Sequence, residues 1–331
     1  MIALLFILPI LLGYGVLEAT GVFDSSSSED IPADEIDFIK GTKGDDLLNG
    51  TGGEDIIIGN DGNDTMDGQG GADVIYGRWG ADEISGGTGV DYIHAGYGSD
   101  LANGNDGADL MTGGGGADTL YGGDSGDIVL GSTGNDEVYG NRGDDIVTGG
   151  GGSDIVSGGM GDDLVSGSTH NYTNTTADYT PEYIAAMALA RELYPDATLE
   201  ELHASPELEG IDLTFLESDG VADGADSLWA GPGNDTLLIG DGDEAVGGIG
   251  SDTFIMYGTG ADGTSLIKDF DPEEEDVLQI YVVGATAETA PEVSIAADNG
   301  NAIISVGDTQ VAIVEGGEGK ITSEAIQLLF S

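Results

Sequence analysis

From Gly41 the chain divides into nines without a slip: GTKGDDLLN, GTGGEDIII, GNDGNDTMD, GQGGADVIY, GRWGADEIS, GGTGVDYIH, AGYGSDLAN, GNDGADLMT, GGGGADTLY, GGDSGDIVL, GSTGNDEVY, GNRGDDIVT, GGGGSDIVS and GGMGDDLVS. These fourteen units cover residues 41–166. A fixed short period held for so long commits the chain to stacking one small unit on the next. The sixth residue of every unit is aspartate: Asp46, Asp55, Asp64, Asp73, Asp82, Asp91, Asp100, Asp109, Asp118, Asp127, Asp136, Asp145, Asp154 and Asp163. The first is glycine except at Ala95, the fourth is glycine except at Ser125, and the eighth is apolar throughout, from Leu48 to Val165.

Each position has a physical reading. Glycines at positions one and four permit turn dihedrals with positive φ, which residues bearing a Cβ resist. Residues seven to nine predict a strand of about three residues, the central side chain pointing inward and its neighbours outward. One inward residue per nine makes a thin core, thinnest at Ala102. If two units make one coil, equivalent residues lie eighteen apart in sequence and ~4.8 Å apart in space. The eighth positions then form apolar rows and the aspartates form two acidic ladders. Like charges at ~5 Å repel by ~1 kcal/mol in water and by several-fold more in a low dielectric.

What offsets that repulsion must come from outside the chain. There is no cysteine, so neither disulfides nor thiolate metal sites are available. Asp and Glu number 63 against 7 Lys and Arg, a formal net charge of −56, which excludes nucleic acid as a partner and attracts cations. Glycine, at 60 residues, is about 18% of the chain against a usual value of roughly 7%. Such a composition alone would indicate disorder, but here the acids are in phase. A hard cation between successive turns reverses the sign of the interaction. Calcium accepts six to eight oxygen ligands from carboxylates and carbonyls in tolerant geometry, whereas magnesium is stricter and dehydrates reluctantly.

The nines resemble the G-G-x-G-x-D-x-U-x pattern of the RTX (repeats-in-toxin, hemolysin-type) calcium-binding proteins, for which a parallel β-helix is the known architecture. The resemblance implies an all-β parallel β-roll, with several calcium ions held between turns two units apart. It implies that Asp46 shares an ion with the turn of Asp64, Asp55 with that of Asp73, and so on to Asp145 with Asp163. It further implies type I secretion and folding outside the cell, where calcium is plentiful. Departures are mild: position two is often not glycine (Thr42, Thr51, Asn60, Gln69, Arg78).

The remaining chain falls into segments. Residues 1–23 are apolar, with no Lys or Arg before Lys40, and read as a membrane anchor or an export segment, the alternative being a buried apolar element. Residues 24–40 read as an acidic linker. Beyond the roll at 41–167, residues 168–220 read as a helical insert, with Thr180 before Pro181 and Thr198 before Glu201 as helix starts. Residues 221–255 return to the repeat as VADGADSLW, AGPGNDTLL, IGDGDEAV and GGIGSDTFI. They add Asp226, Asp235 and Asp252 to the expected metal ligands, with Glu244 where a further Asp is due in the short unit. Residues 256–331 read as a β-rich C-terminal cap with strands at VLQIYVV, AIISV and QVAIVEG, and SEAIQLLFS as a short helix or export signal.

No catalytic constellation is visible. The histidines are His94, His170 and His203, without an HExxH zinc motif; no G-x-S-x-G elbow occurs, and GxGxxG matches carry nothing in so glycine-rich a chain. His94, at an outward ninth position, reads as ordinary surface, and the Arg142–Asp144 tripeptide RGD is dictated by the repeat. Position two is mixed, with Thr42, Thr51, Asn60, Gln69 and Arg78 in its first five units, and position three equally so; no flat array of identical residues forms for ice binding. The reading is therefore an exported calcium-binding repeat protein, non-enzymatic, at the cell surface or in a matrix. The alternative is a secreted enzyme whose catalytic part is the 168–220 insert or the C-terminal cap.

Overall fold

The computed structural model describes residues 37–168, 224–256, 263–282, 291–322 and 326–330. Among these residues there are twenty-five β-strands and no helix. As far as Val277–Val282, consecutive strands alternate between two sheets, one of twelve strands and one of thirteen. Within residues 37–168 every pairing is parallel and joins residues eighteen apart, as in Ile128–Thr133 with Ile146–Gly151, where Val129 faces Val147. Two nonapeptides therefore make one coil, as the period requires.

The eighth positions point inward and form the core between the sheets. Ile57, Met66, Ile75, Ile84, Ile93, Ala102, Met111, Leu120, Val129, Val138, Val147, Val156 and Val165 are all buried, and Leu48 in the first unit is partly so. In-register stacking sets like on like, Leu120 between Ala102 and Val138 for example. Each buried apolar side chain is worth roughly 1.5–3 kcal/mol, and these rows form a continuous core along the coils.

Three sequence expectations are corrected here. The strands are mostly six residues long rather than three, as in Glu83–Thr88, because positions two and three of the next unit stay paired with the neighbouring coil, Gly87 with Asn105 and Thr88 with Asp106. Asp37–Lys40, placed in the linker, is the first strand of the twelve-stranded sheet and pairs in register with Asp55–Ile58. The helix alternative for SEAIQLLFS gives way to a strand, Ile326–Phe330, parallel to Val277–Val282. Val293–Asp298, Asn301–Val306 and Thr309–Val314 form an antiparallel meander, whose last strand pairs parallel with Ser265–Ile267. The strand at Val293–Asp298 was not anticipated.

The interruption after Gly167 is absorbed within a single turn. Among the described residues, Leu164–Ser168 and Ser227–Pro232 are consecutive strands of opposite sheets, and both remain in register with their neighbours. A Cβ on Gly167 would collide with Asp226 Oδ2, the same relation that every position-one glycine has to the aspartate five residues on. Gly167 and Ser168 thus open a turn that Gly224, Ala225 and Asp226 complete. Of the helical insert expected at 168–220, Ser168 instead ends the strand Leu164–Ser168; the rest of the insert and the apolar segment 1–23 lie outside the described residues. Among the described residues no helix is long and apolar enough to cross a membrane.

Candidate metal centres

The turns bring the aspartates together as the period predicts, through a bond the sequence did not reveal. The backbone N–H of each sixth-position Asp donates to Oδ1 of the Asp one coil later: Asp64 to Asp82 at 2.8 Å, Asp82 to Asp100 at 2.8 Å, Asp109 to Asp127 at 2.8 Å, Asp118 to Asp136 at 2.9 Å. The ladders cross the interruption unbroken, Asp154 donating to Asp226 and Asp163 to Asp235. They end at two residues the sequence reading did not include. Asp226 donates to Asp243, not to Glu244, and Asp252 donates to Asp276. In the short unit the missing residue comes out of the turn before the aspartate, so Asp243 keeps the ladder position. Glu244 becomes the first strand residue, opposite Ser227. Asp276 lies in DPEEED, outside the nonapeptide frame, and only the three-dimensional register identifies it.

With Oδ1 used, the second oxygen decides what the ladder can do. Oδ2 of Asp64, Asp73, Asp82, Asp91, Asp100, Asp109, Asp118, Asp127, Asp136, Asp154, Asp163 and Asp235 is buried and accepts no hydrogen bond. These residues are at most 3% exposed. Burying an ionised carboxylate without a partner is among the costliest things a fold can do. Burial accordingly pushes their protonation upward: Asp109, Asp118, Asp163 and Asp235 to about 7 and Asp127 to about 9. Neighbouring ladder carboxylates add to the rise, and the Oδ1 bond from the preceding N–H opposes it. At neutral pH the arrangement requires either protons or cations.

The glycines divide their roles differently from expectation. Position one never has a positive φ; it is glycine because a Cβ on Gly122, for example, would sit 2.5 Å from Asp127 Oδ2 and 2.7 Å from the Gly140 carbonyl oxygen. Position two carries the left-handed backbone from the third unit onward, as at Asn60, Gln69, Arg78 and Gly87. Position four shares it in most turns, Ser125 included. The turns are therefore tight, lined by carboxylate and peptide oxygens, and closed to larger side chains.

Such an all-oxygen lining suits a hard divalent cation. Among the described residues no group of three or more His, Cys, Asp or Glu side chains gathers at one point. A bound ion would thus take few carboxylates and draw its other ligands from backbone carbonyls and water. The orphaned Oδ2 atoms fit that requirement, since each is an anionic oxygen with no protein donor.

The other singled-out residues are absorbed by the architecture. In the RGD tripeptide Arg142 pairs with Asp124 at 3.4 Å, Gly143 is a turn glycine with φ 129°, and Asp144 Oδ1 accepts the N–H of Asp162. His94, read as ordinary surface, is half-buried on the outer face beside Tyr76, with Nδ1 lacking any partner; burial holds its protonation below the usual histidine range. The cause is the apolar outer face of the twelve-stranded sheet, where Val74, Leu110 and Leu130 are also buried.

A family model described as RTX calcium-binding nonapeptide repeat (four copies) matches residues 33–66, 58–93, 94–129, 130–165 and 222–243. Its first match includes the strand at Asp37–Lys40, and its last includes Asp243. No curated protein matches the chain as a relative.

Proposed function

Because this chain is built on RTX calcium-binding nonapeptide repeats, we propose that it is an exported, non-enzymatic roll whose folding is driven by calcium, serving a surface, adhesive or structural role. The observation that supports this is the pair of ladders in which a buried carboxylate oxygen of nearly every turn has no protein donor. The sixth-position aspartates between Asp64 and Asp235 would supply one carboxylate oxygen each, and the glycine turns the carbonyls. The cation would supply charge neutralisation and a cross-link from coil to coil, the work that disulfides do in many Cys-containing extracellular proteins. Export fits a protein whose staple is calcium, which is plentiful outside cells. The absence of cysteine from the whole chain is consistent with it.

The test is far-UV circular dichroism of the full chain. In chelator the roll should be largely coil, millimolar calcium should restore the β signal, and magnesium at the same concentration should not. Equal β content in chelator and in calcium would sink the reading.

A further inference from the structure

The twelve orphaned Oδ2 atoms lie in the interior of the ladders, and the ends are built differently. In the first two units position two is threonine, and neither Thr42 nor Thr51 adopts the left-handed backbone found at this position from Asn60 onward. A β-branched residue resists positive φ strongly, so here the turn folds the other way and turns its donors inward. Thr42 N–H donates to Asp46 Oδ2 at 2.5 Å and its hydroxyl donates to the same oxygen at 2.9 Å. Thr51 does the same for Asp55, at 2.6 and 3.2 Å.

The far ends show the same outcome by other means. Asp243 Oδ2 accepts the N–H of Gly240 at 2.7 Å, and Asp276 Oδ2 accepts that of Asp271 at 2.7 Å. Beside them, the two oxygens of Asp269 take the N–H groups of Gly247 and Gly248, both at 2.9 Å.

We infer that at both ends of both ladders the Oδ2 oxygen, which the interior turns leave without a donor, is taken by the protein, so that Asp46, Asp55, Asp243 and Asp276 complete the stack without offering that oxygen to a cation. Resting on the calcium reading of the interior turns, this assigns the two ends of the roll as cation-independent lids. The logic is one of donors. A carboxylate oxygen that already accepts an N–H, and in two cases a hydroxyl as well, has its charge directed at the protein and offers less to an ion. A lid of this kind also stops the stack from templating further calcium-bridged turns, which an open acidic end would invite.

The test counts ions. Calcium bound per chain is measured by equilibrium dialysis and elemental analysis of the full-length protein. The variants are Asp46→Asn with Asp55→Asn, and Asp109→Asn with Asp118→Asn, each checked by circular dichroism in calcium. Asparagine should fold at the lid positions, because Asp55 Oδ1 has no partner and one carbonyl oxygen suffices for Thr51. The lid pair is expected to bind as many ions as the wild type, and the interior pair at least one fewer. Loss of an ion from the lid pair overturns the inference. Should the lid pair fail to fold, Thr42→Gly with Thr51→Gly decides the matter: these turns become free to adopt the left-handed form, and bound calcium should rise by at least one ion. No rise would overturn the role given to the threonines. A wild type that binds no calcium at all would instead refute the proposed function, a different result from either.

Discussion

The sharpest prediction compares alanine at two glycines that occupy the same position of the repeat. Gly80 and Gly44 both stand fourth in their units. Gly80 has φ of +142°, and a Cβ there would land on the Gly62 carbonyl oxygen one coil away, whereas a Cβ on Gly44 would meet nothing within 4 Å. For Gly80→Ala two costs add. Holding a side-chain-bearing residue in that backbone region costs about 1–3 kcal/mol. Relieving the overlap displaces one turn from the next and weakens the bonds Gly80 N–H to Tyr97 O and Gly62 N–H to Trp79 O, both 2.9 Å, at about 1 kcal/mol each. The total is about 3–5 kcal/mol, which at an m-value of about 2 kcal/mol/M lowers the urea midpoint by about 1.5–2.5 M. Gly44→Ala should move it by less than about 0.5 M. The assay is urea unfolding in saturating calcium, followed by far-UV circular dichroism. If both substitutions cost the same, glycine is demanded by the motif irrespective of local contact, and the steric argument is wrong.

Acid should partly replace calcium. The ladder aspartates carry raised folded values, about 7 for Asp109, Asp118, Asp163 and Asp235, against 3.8 unfolded. The folded state therefore binds more protons between pH ~4 and ~7, and its stability rises as pH falls through that window. In chelator, β content should increase from pH 7.5 to pH 5; a flat or opposite response would mean the carboxylates are not buried as described. Deleting residues 169–223 and joining Ser168 to Gly224 through one residue should leave the calcium-dependent β signal and resistance to protease intact, because both ladders already span that turn. Selective cleavage within 224–256 after such a deletion would show that the second block depends on the excised segment.

Much of the architecture was legible because the period carries it. The eighteen-residue pairing, the inward row from Ile57 to Val165 and the adjacency of successive sixth-position aspartates all follow from phase alone. What escaped was whatever depends on contact between coils. The reason for glycine at position one is a neighbouring carboxylate and a neighbouring carbonyl, neither adjacent in sequence, so position one was mistaken for a turn with positive φ. Asp243 escaped because a deletion was charged to the end of its unit, when the strand register moves it into the turn. Asp276 and Asp37–Lys40 fall outside the glycine pattern and are recovered only by their partners. Thr42 and Thr51 were visible as departures, and their β-branching was the available signal.

The turn shared by Gly167 and Gly224 has a consequence for how the molecule assembles. Everywhere in the first block, adding a coil closes a loop of 18 residues; at this turn the same contact, Asp154 to Asp226, spans 72. Loop-closure entropy grows as (3/2)RT ln n, so that step costs about 1.2 kcal/mol more than its neighbours, an eightfold kinetic handicap of about that size. Folding that propagates coil by coil would pause there. The chain is thus continuous in register but divided in time, with one block able to finish before the other is enlisted.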